Sequence, residues 1–470
     1  MKYFQRALGL LASCLAVSVH ASETPAMSKG EYLTRAADCV ACHVVPGGKP
    51  FAGGLEFKLP FGSLYSPNIT PDKETGIGNW TDDEFVDALQ KGVGKDGKHY
   101  YPAFPYTSYT LMSREDILAI KGYLFSLEPV RQAPPENKLS FPFNQRWGMM
   151  FWNMIFASNE RFVPDPKQSA EWNRGRYLAE GAAHCSTCHT PRGALMQEQK
   201  SRHLSGGQVG AWYAPDITND KVHGIGSWSQ EDLVTYLKTG RLDHRAQAAG
   251  SMAEAISYSF QHLTEADLNA IATYVRSVPS SDPTAVSSMT RFDRGEADNN
   301  LSGFRGKGFA AGIKGDHSGA QIFTANCASC HGFNAQGTTD GYYPSLFHNA
   351  ATAGDNSVNL ISAILNGVDR HTQDGHVFMP PFGDEANAVV SLDNVQVASL
   401  ANYILRDYGN IKLTVNPEDV QVVRDGGPRS NIVTLARIGI AAGAVVLVAV
   451  LLLVGLLVRG RRKVADLKST

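Results

Sequence analysis

The sequence predicts a mainly α-helical protein with three tandem small domains followed by one C-terminal transmembrane helix. Three observations support this prediction. A five-residue pattern containing two cysteines and a histidine occurs three times, a stretch after the first copy recurs without a gap after the second, and a 21-residue run without a charge lies near the C-terminus. The length of 470 residues also fits about three domains.

The composition fits folded protein and argues against a nucleic-acid partner. Hydrophobic residues make up 43% of the chain and charged residues 19%. Lys and Arg total 43 against 45 Asp and Glu, which gives a formal net charge of -2. The positive excess that neutralises phosphates in nucleic-acid binders is therefore missing.

The N-terminus, residues 1–21, has the pattern of an export signal. Lys2 and Arg6 precede an apolar run from Ala7 to Val19, and the pattern Val19-His20-Ala21 at its end predicts cleavage after Ala21. The run is too short and too interrupted for a membrane-spanning helix. An alternative is a lipoprotein signal, which would make Cys14 an acylated N-terminus.

The apolar run Ile438–Val458 would span about 31 Å as a helix, which matches a bilayer core. Four basic residues lie within the next five positions, and basic residues flank such helices on the cytoplasmic side. We therefore expect a bacterial cytoplasmic-membrane protein whose domains face the periplasm and whose tail, residues 459–470, is cytoplasmic.

The repeated pattern is Cys-x-x-Cys-His, the attachment motif of heme c. Residues three apart share a helix face, so both thiols can form thioethers with one heme while the adjacent histidine binds its iron. One motif serves one heme, so the sequence predicts three covalently bound copies of heme c. The motif residues are Cys39, Cys42 and His43, then Cys185, Cys188 and His189, then Cys327, Cys330 and His331.

Two other interpretations of Cys-x-x-Cys are weaker. A zinc site would pair two motifs, but three copies cannot pair evenly. A thioredoxin-like redox pair needs a βαβ pattern, which the sequence lacks. Neither interpretation explains the histidine that follows each pair.

The run Pro67–Trp80 matches Pro215–Trp228, so the first two domains are copies of one unit. Helix-start signals follow at Thr81 and Ser229, and glycines near positions 92 and 240 end the helices. We expect the following division of the chain: domains at 22–165, 166–300 and 301–412, a linker at 413–437, and the transmembrane helix at 438–458.

A sixth iron ligand should come from a loop across each heme, and methionine is the usual choice. Met252 lies twelve residues after Gly240, and Met379 lies in a Met-Pro-Pro sequence. Both are candidate axial ligands, with core packing as the alternative for each. His371 and His376 could compete with Met379 for the third iron.

The repeat breaks in the first domain, where the equivalent slot holds Phe104, which cannot ligate iron. We expect Met112 to bind instead, with packing as the competing interpretation. Met149, Met150 or His99 could also reach this iron, or the first heme could be five-coordinate.

The chain resembles the triheme cytochrome c subunits of membrane-bound bacterial dehydrogenases, of the quinoprotein alcohol dehydrogenase or flavin-dependent gluconate and sugar dehydrogenase type. The resemblance rests on the three motifs, the repeated run, Met252, Met379 and the C-terminal anchor. It implies three class I cytochrome c-like domains and a large FAD- or PQQ-dependent dehydrogenase subunit as partner, and it leaves room for a small third subunit. Electrons would pass through three hemes to ubiquinone.

The residues alone also favour electron transfer, because three one-electron centres occur without a motif for hydride, acyl or zinc-hydrolytic chemistry. We do not expect the chain to oxidise a substrate alone. Two further functions stay open: a heme peroxidase, motivated by Phe104, and a freestanding membrane cytochrome that donates to a terminal oxidase.

Overall fold

The computed structural model describes residues 27–281, 290–297, 319–384 and 386–468. The predicted export signal and Cys14 lie outside the described residues. The described chain is mainly helical, with four small antiparallel sheets.

The first domain combines short helices with a three-stranded sheet in the order β1-β2-β3. Its elements are α1 (Lys29–Ala36), α2 (Cys39–Cys42), β1 (Glu56–Leu59), β2 (Gly62–Tyr65), α3 (Asp82–Lys91), α4 (Tyr106–Tyr109), α5 (Arg114–Ser126), β3 (Lys138–Leu139) and α6 (Gly148–Phe156). The predicted helix start at Thr81 is confirmed: its hydroxyl accepts from the Glu84 amide, and the Glu84 carboxylate accepts from the Thr81 amide.

The second domain repeats this plan. Its elements are α7 (Ala170–Arg176), a π-helical turn (Tyr177–Ala182), α8 (Ser186–His189), β4 (Ser205–Val209), β5 (Trp212–Asp216), α9 (Gln230–Thr239), β6 (Arg241–Leu242), β7 (Ala246–Gln247), α10 (Gly250–Tyr258) and α11 (Glu265–Val275). Ser229 caps α9 as predicted, and Gly240 ends it in the left-handed conformation with φ 74°.

The third domain and the anchor complete the chain. Their elements are α12 (Gly319–Asn326), α13 (Ala328–His331), α14 (Val358–Asn366), β8 (Val368–Thr372), β9 (Gly375–Met379), α15 (Asn394–Tyr408), α16 (Pro417–Arg424) and α17 (Ile432–Lys468). The helix α15 begins at Asn394 with Asp393 as its cap.

Each domain is closed by the same kind of helix crossing, α1 with α5, α7 with α11 and α12 with α15, and a glycine lies at each crossing. A Cβ at Gly30 would lie 2.1 Å from the Ala119 carbonyl oxygen, and one at Gly319 would lie 2.1 Å from that of Ser399. At Gly175 the corresponding distance to Ala270 is 1.8 Å. The backbones therefore touch, and glycine is required because no side chain fits between them.

The spacing from the crossing glycine to the first motif cysteine differs between the domains. It is nine residues from Gly30 to Cys39 and ten from Gly175 to Cys185. The π-helical turn Tyr177–Ala182 accommodates the additional residue, because a wider turn absorbs one insertion without shifting the helices on either side.

Domains one and two share one hydrophobic core and a reciprocal polar interface. The Tyr32 hydroxyl donates to Asp267 at 2.6 Å, and the Tyr177 hydroxyl donates to Asp116. Tyr32 thus reaches the N-terminus of α11 in the second domain, and Tyr177 reaches the N-terminus of α5 in the first. Burial acts to raise the pKa of Asp267, but hydrogen bonds from Arg174 and Tyr32 outweigh it, so the pKa lies below its ordinary value.

The third domain has its own core and docks on the second through polar contacts. Arg370 on β8 donates to the Ala248 carbonyl at 2.7 Å and to Gln247 at 2.9 Å. The Asn359 side chain bonds both the amide and the carbonyl of Tyr213. The two domains therefore meet in a defined orientation.

The C-terminal helix α17 contains the predicted apolar run and begins earlier, at Ile432. Its segment Ile432–Leu457 is long and apolar enough to cross a membrane, by length and composition. Ile432 and Val433 pack on the first domain, in a cluster with Phe61, Tyr101 and Met149. The helix is therefore held to the first domain at its start.

Candidate heme sites

Each motif forms a single helical turn, in α2, α8 and α13, after the N-terminal helix of its domain. The six motif cysteines are half-buried and form no disulfide. Burial raises the pKa of Cys42, Cys185 and Cys327 to about 12. A dithiol redox pair needs a lowered thiol pKa, so this environment argues against the thioredoxin-like interpretation.

The zinc interpretation also finds no support in the described residues. Within them, a group of three or more Cys, His, Asp or Glu ligand atoms converges only at Asp369, His371 and His376, which includes no motif residue. The motifs thus do not combine with one another into a tetrahedral site of the kind zinc prefers.

The three motif histidines are held in the same way. Nδ1 of His43 lies 2.7 Å from the Pro67 carbonyl oxygen, and Nδ1 of His189 lies 2.7 Å from that of Pro215. In the third domain His331 makes this contact with Pro344 at 2.8 Å. Because a carbonyl only accepts, Nδ1 carries the proton, and Nε2 is the nitrogen left to bind iron.

Burial keeps these imidazoles neutral. It lowers the pKa of His43 to about 4 and lowers the pKa of His189 and His331 as well. A neutral imidazole with a free Nε2 is the form that ligates a metal. The arrangement thus holds the motif histidine of all three domains in the same tautomer, with Nε2 free.

The two proposed distal methionines lie at the ends of short elements in their domains. Met252 is in the first turn of α10 and packs half-buried against the shared core. Met379 is the last residue of β9 and packs half-buried against the core of the third domain. Their ligation of iron stays a prediction.

The hairpin β8–β9 separates Met379 from the two competing histidines. Met379 pairs with Val368, while His371 pairs with His376. Since side chains alternate across a strand, Met379 and His376 lie on opposite faces of the hairpin. Both histidines are exposed and contact the Asp369 carboxylate, on the side of the hairpin away from the core against which Met379 packs.

In the first domain Met112 lies immediately before α5 and is fully buried. A Cβ at Gly181 would lie 3.6 Å from its Cγ, so the Met112 side chain packs beside the π-helical turn of the second domain. This is the packing role that the sequence left open. Ligation of iron by Met112 stays a prediction.

Phe104, which stands in the ligand slot of the first domain, is surrounded by tyrosines. Its ring makes edge contacts with Tyr100 at 5.7 Å and Tyr109 at 5.6 Å between centroids. Tyr109 also donates to the Ala37 carbonyl next to the first motif. Two of the remaining sequence candidates lie apart from this cage: His99 bonds Asn153, and Met149 packs with the start of α17.

Buried donors without partners mark where the carboxylates of a heme fit in the second domain. Trp228 Nε1 and Arg291 Nε are buried and have no hydrogen-bond partner among the described residues. Arg291 packs over Phe292, whose ring also contacts Trp228 at 5.9 Å. Burial lowers the pKa of Arg291, so an anion beside it would offset the cost of the buried charge.

Arg291 has no motif around it in the sequence. It lies near the end of the second domain, and only the folded chain brings it and its neighbour Phe292 to Trp228.

The first two motifs lie close together across the shared core. Burial is the main cause of the raised pKa of Cys42. Nearby negative charges, including that of Cys188 in the second motif, raise it further. The His184 ring, directly before the second motif, packs edge-on against Tyr109 of the first domain at 5.7 Å. The chain thus places two cofactor sites next to each other.

Comparison with known proteins agrees with this site. The sequence profile of the family described as Cytochrome c matches residues 27–128, 173–279 and 317–406. A fructose dehydrogenase cytochrome subunit of Gluconobacter japonicus is 41% identical over 421 residues, which cover 88% of this chain and 86% of the relative.

Two further relatives align over similar lengths. An alcohol dehydrogenase (quinone) cytochrome c subunit of Gluconacetobacter polyoxogenes is 36% identical over 437 residues, or 90% of this chain and 89% of the relative. A gluconate 2-dehydrogenase cytochrome c subunit of Pantoea cypripedii is 38% identical over 420 residues, or 85% of this chain and 89% of the relative.

Proposed function

Because the chain belongs to the cytochrome c family, we propose that it is the electron-transfer subunit of a membrane-bound dehydrogenase complex. Its partner would be a large FAD- or PQQ-dependent subunit that oxidises an alcohol, gluconate or another sugar or polyol. The electrons would cross three hemes and reach ubiquinone. The names of the aligned relatives, all cytochrome subunits of dehydrogenases, support a partner of this kind.

The observation that carries this proposal is the threefold repetition of one proximal-ligand geometry. In each domain a motif histidine donates through Nδ1 to a proline carbonyl and keeps Nε2 free. When bound, heme c supplies a one-electron carrier at each such histidine. The chain's own residues fix the ring orientation and the tautomer and exclude water by burial.

The proposed heme-holding residues are those of the three motifs. Cys39, Cys42, Cys185, Cys188, Cys327 and Cys330 would form the thioethers, and His43, His189 and His331 would be the proximal ligands. Met252 and Met379 are the proposed distal ligands of the second and third hemes.

The proposed location is the bacterial cytoplasmic membrane, with the three domains on the periplasmic side. The length of the apolar segment Ile432–Leu457 supports a membrane anchor. The basic residues from Arg459 onward support a cytoplasmic C-terminus. A tethered protein of this kind stays within reach of a membrane-soluble acceptor such as ubiquinone.

Purification of the tagged chain from native membranes in mild detergent tests the proposal. We expect a large subunit in stoichiometric amount that carries FAD or PQQ. A cytochrome that repeatedly purifies alone with its hemes intact would overturn the dehydrogenase-complex assignment. It would favour a freestanding carrier that donates to a terminal oxidase.

The peroxidase alternative depends on an open iron in the first domain, where Phe104 offers no ligating atom. Carbon monoxide binding to the reduced protein separates the two cases. Binding to about one heme in three would show an open site. Rapid peroxide turnover by the isolated chain would then be needed to support a peroxidase.

A further inference from the structure

The short helix α6 has an inverted distribution of polar and apolar side chains. Its outward residues are all apolar, and their exposed fractions run from 48% for Phe151 to 75% for Met154. They recur at the spacing of one helix face. We call this face the α6 stripe, and it consists of Trp147, Met150, Phe151, Met154 and Ile155.

The one polar side chain of α6 points the other way. Asn153 accepts from the Tyr106 hydroxyl at 2.6 Å, and its amide contacts His99 Nδ1 at 2.9 Å. In a helix packed on a protein that faces water, the apolar face is turned inward and the polar face outward. Here the polar contact is inward and the apolar stripe is outward, so the outer medium that suits α6 is apolar.

The position of α6 relative to the anchor indicates which apolar medium covers it. Met149, on the inner side of α6, packs in the same cluster as Ile432 and Val433, the first residues of α17. Arg437, one residue before the apolar run, donates to the Phe141 carbonyl at 3.2 Å. The stripe therefore lies beside the point where the anchor leaves the folded domains.

The distance along α17 places α6 at the level of the bilayer surface. Val433 precedes Ile438 by five residues, or about 8 Å at helical rise. The headgroup layer on each side of the hydrocarbon core is about 5–8 Å thick. A helix beside Val433 thus lies at the headgroup level, where the apolar face of an interfacial helix enters the bilayer.

We infer that α6 is a second membrane-contacting element, which lies in the plane of the bilayer surface with its stripe among the lipid acyl chains. This inference rests on the proposed membrane anchor, because α17 sets the position of the bilayer. The helix carries no charged residue, which favours lipid over a protein partner that would need a polar rim. The first domain would then sit directly on the membrane, with the Phe104 loop linked to α6 through Tyr106.

Lipid photo-crosslinking of the full heme-loaded chain, without its dehydrogenase partner, tests the inference. The probe is a phosphatidylcholine with a diazirine in its acyl chain, incorporated into liposomes that carry the protein. Peptide mass spectrometry then compares α6 with α17 as the positive reference and α11, where Ala266 is exposed, as the aqueous reference. We expect crosslinks on α6 and α17 and none above background on α11.

The outcomes separate this inference from the proposed anchor. Crosslinks on α17 alone would overturn the inference and leave the anchor standing. Crosslinks on neither helix would overturn both. If α6 stays free of lipid but becomes protected from hydroxyl radicals once the dehydrogenase subunit is added, the stripe is a protein-docking face and the inference is wrong.

A substitution pair adds a second readout. Met154→Gln with Ile155→Gln changes two exposed side chains of the stripe and should reduce crosslinking of α6 several-fold, with heme content and α17 crosslinks unchanged. Val163→Gln is the matched control, since Val163 is 73% exposed and lies outside the stripe. Equal α6 crosslinking in both variants would contradict the inference.

Discussion

Replacing Gly175 with alanine should destabilise the protein, although alanine is the better helix former. The added Cβ would lie 1.8 Å from the Ala270 carbonyl oxygen, whereas real Cβ contacts are essentially never under 3.0 Å. The obstacle is main chain, so no rotamer change relieves it, and α7 must move away from α11 by more than 1 Å.

The magnitude follows from two opposing effects. Overpacking costs about 1–3 kcal/mol, and a backbone obstacle places this site near the upper end. The higher helix propensity of alanine recovers about 1 kcal/mol. The net loss is about 2 kcal/mol, which for a cooperative unit of the first two domains corresponds to a fall in Tm of about 4–8 °C.

Gly122→Ala is the matched control. Gly122 is an exposed residue of α5, and a Cβ there would meet no atom within 4 Å. Only the propensity effect remains, so Tm should rise by about 2–4 °C. Thermal unfolding of the holoprotein followed by circular dichroism compares the two variants at equal heme content. A Tm for Gly175→Ala at or above that of Gly122→Ala would refute the helix crossing described here.

Three further substitutions test the sites and the interface. Met252→Leu should open the second heme, so that the reduced protein binds about one more carbon monoxide per three hemes, while Met150→Leu on the exposed stripe should change nothing. Asp267→Asn should lower Tm at pH 7 by a few degrees, because charged hydrogen bonds contribute about 1.5–3 kcal/mol. The pKa of Asp267 is lowered in the folded protein, so this carboxylate stabilises the fold above about pH 4 and the stabilisation is lost as the pH falls further. In a profile of Tm against pH, Asp267→Asn should therefore lose less Tm in acid than the unchanged protein. Trp228→Phe should lower the midpoint potential of one heme by about 20–60 mV in a spectroelectrochemical titration. This shift equals about 0.5–1.5 kcal/mol, the part of a charged hydrogen bond to a heme carboxylate that differs between the reduced and the oxidised iron. Met252 is not an iron ligand if the carbon monoxide stoichiometry stays unchanged. An unchanged acid profile would contradict the role of Asp267, and an unchanged potential would contradict the bond from Trp228 to a heme carboxylate.

The features that the sequence predicted well are those set by local chemistry. Thr81 and Ser229 cap helices because each has an acid three residues later, which needs no information from the rest of the chain. The Cys-x-x-Cys-His turns are equally local. The apolar run from Ile438 was recognisable because its length and its lack of charge are local properties, and the structure forms it as part of one long helix.

The features that the sequence did not predict join distant residues. Tyr32 and Asp267 are 235 positions apart, and nothing near either one indicates the contact. The crossing glycines could not be separated from the other glycines before their neighbours were known. Met112 shows the same limit: nothing near it in the sequence indicates that its side chain packs beside Gly181 of another domain. Its ligation of iron stays a prediction.

The outward face of α6 was also ambiguous from sequence. An apolar stretch such as Met149–Phe156 fits a docking surface, a membrane-facing surface or packing between domains. Only the inward hydrogen bonds of Asn153 and the nearby start of α17 decided which side faces outward.

Substrate-driven heme reduction in the purified complex tests the central claim most directly. The complex is mixed rapidly with the substrate of its dehydrogenase subunit, and heme absorbance and ubiquinol formation are followed together. We expect the substrate to reduce the hemes and an added ubiquinone analogue to reoxidise them, with ubiquinol formed at the same rate. Hemes that stay oxidised while the FAD or PQQ of the partner is reduced would contradict it.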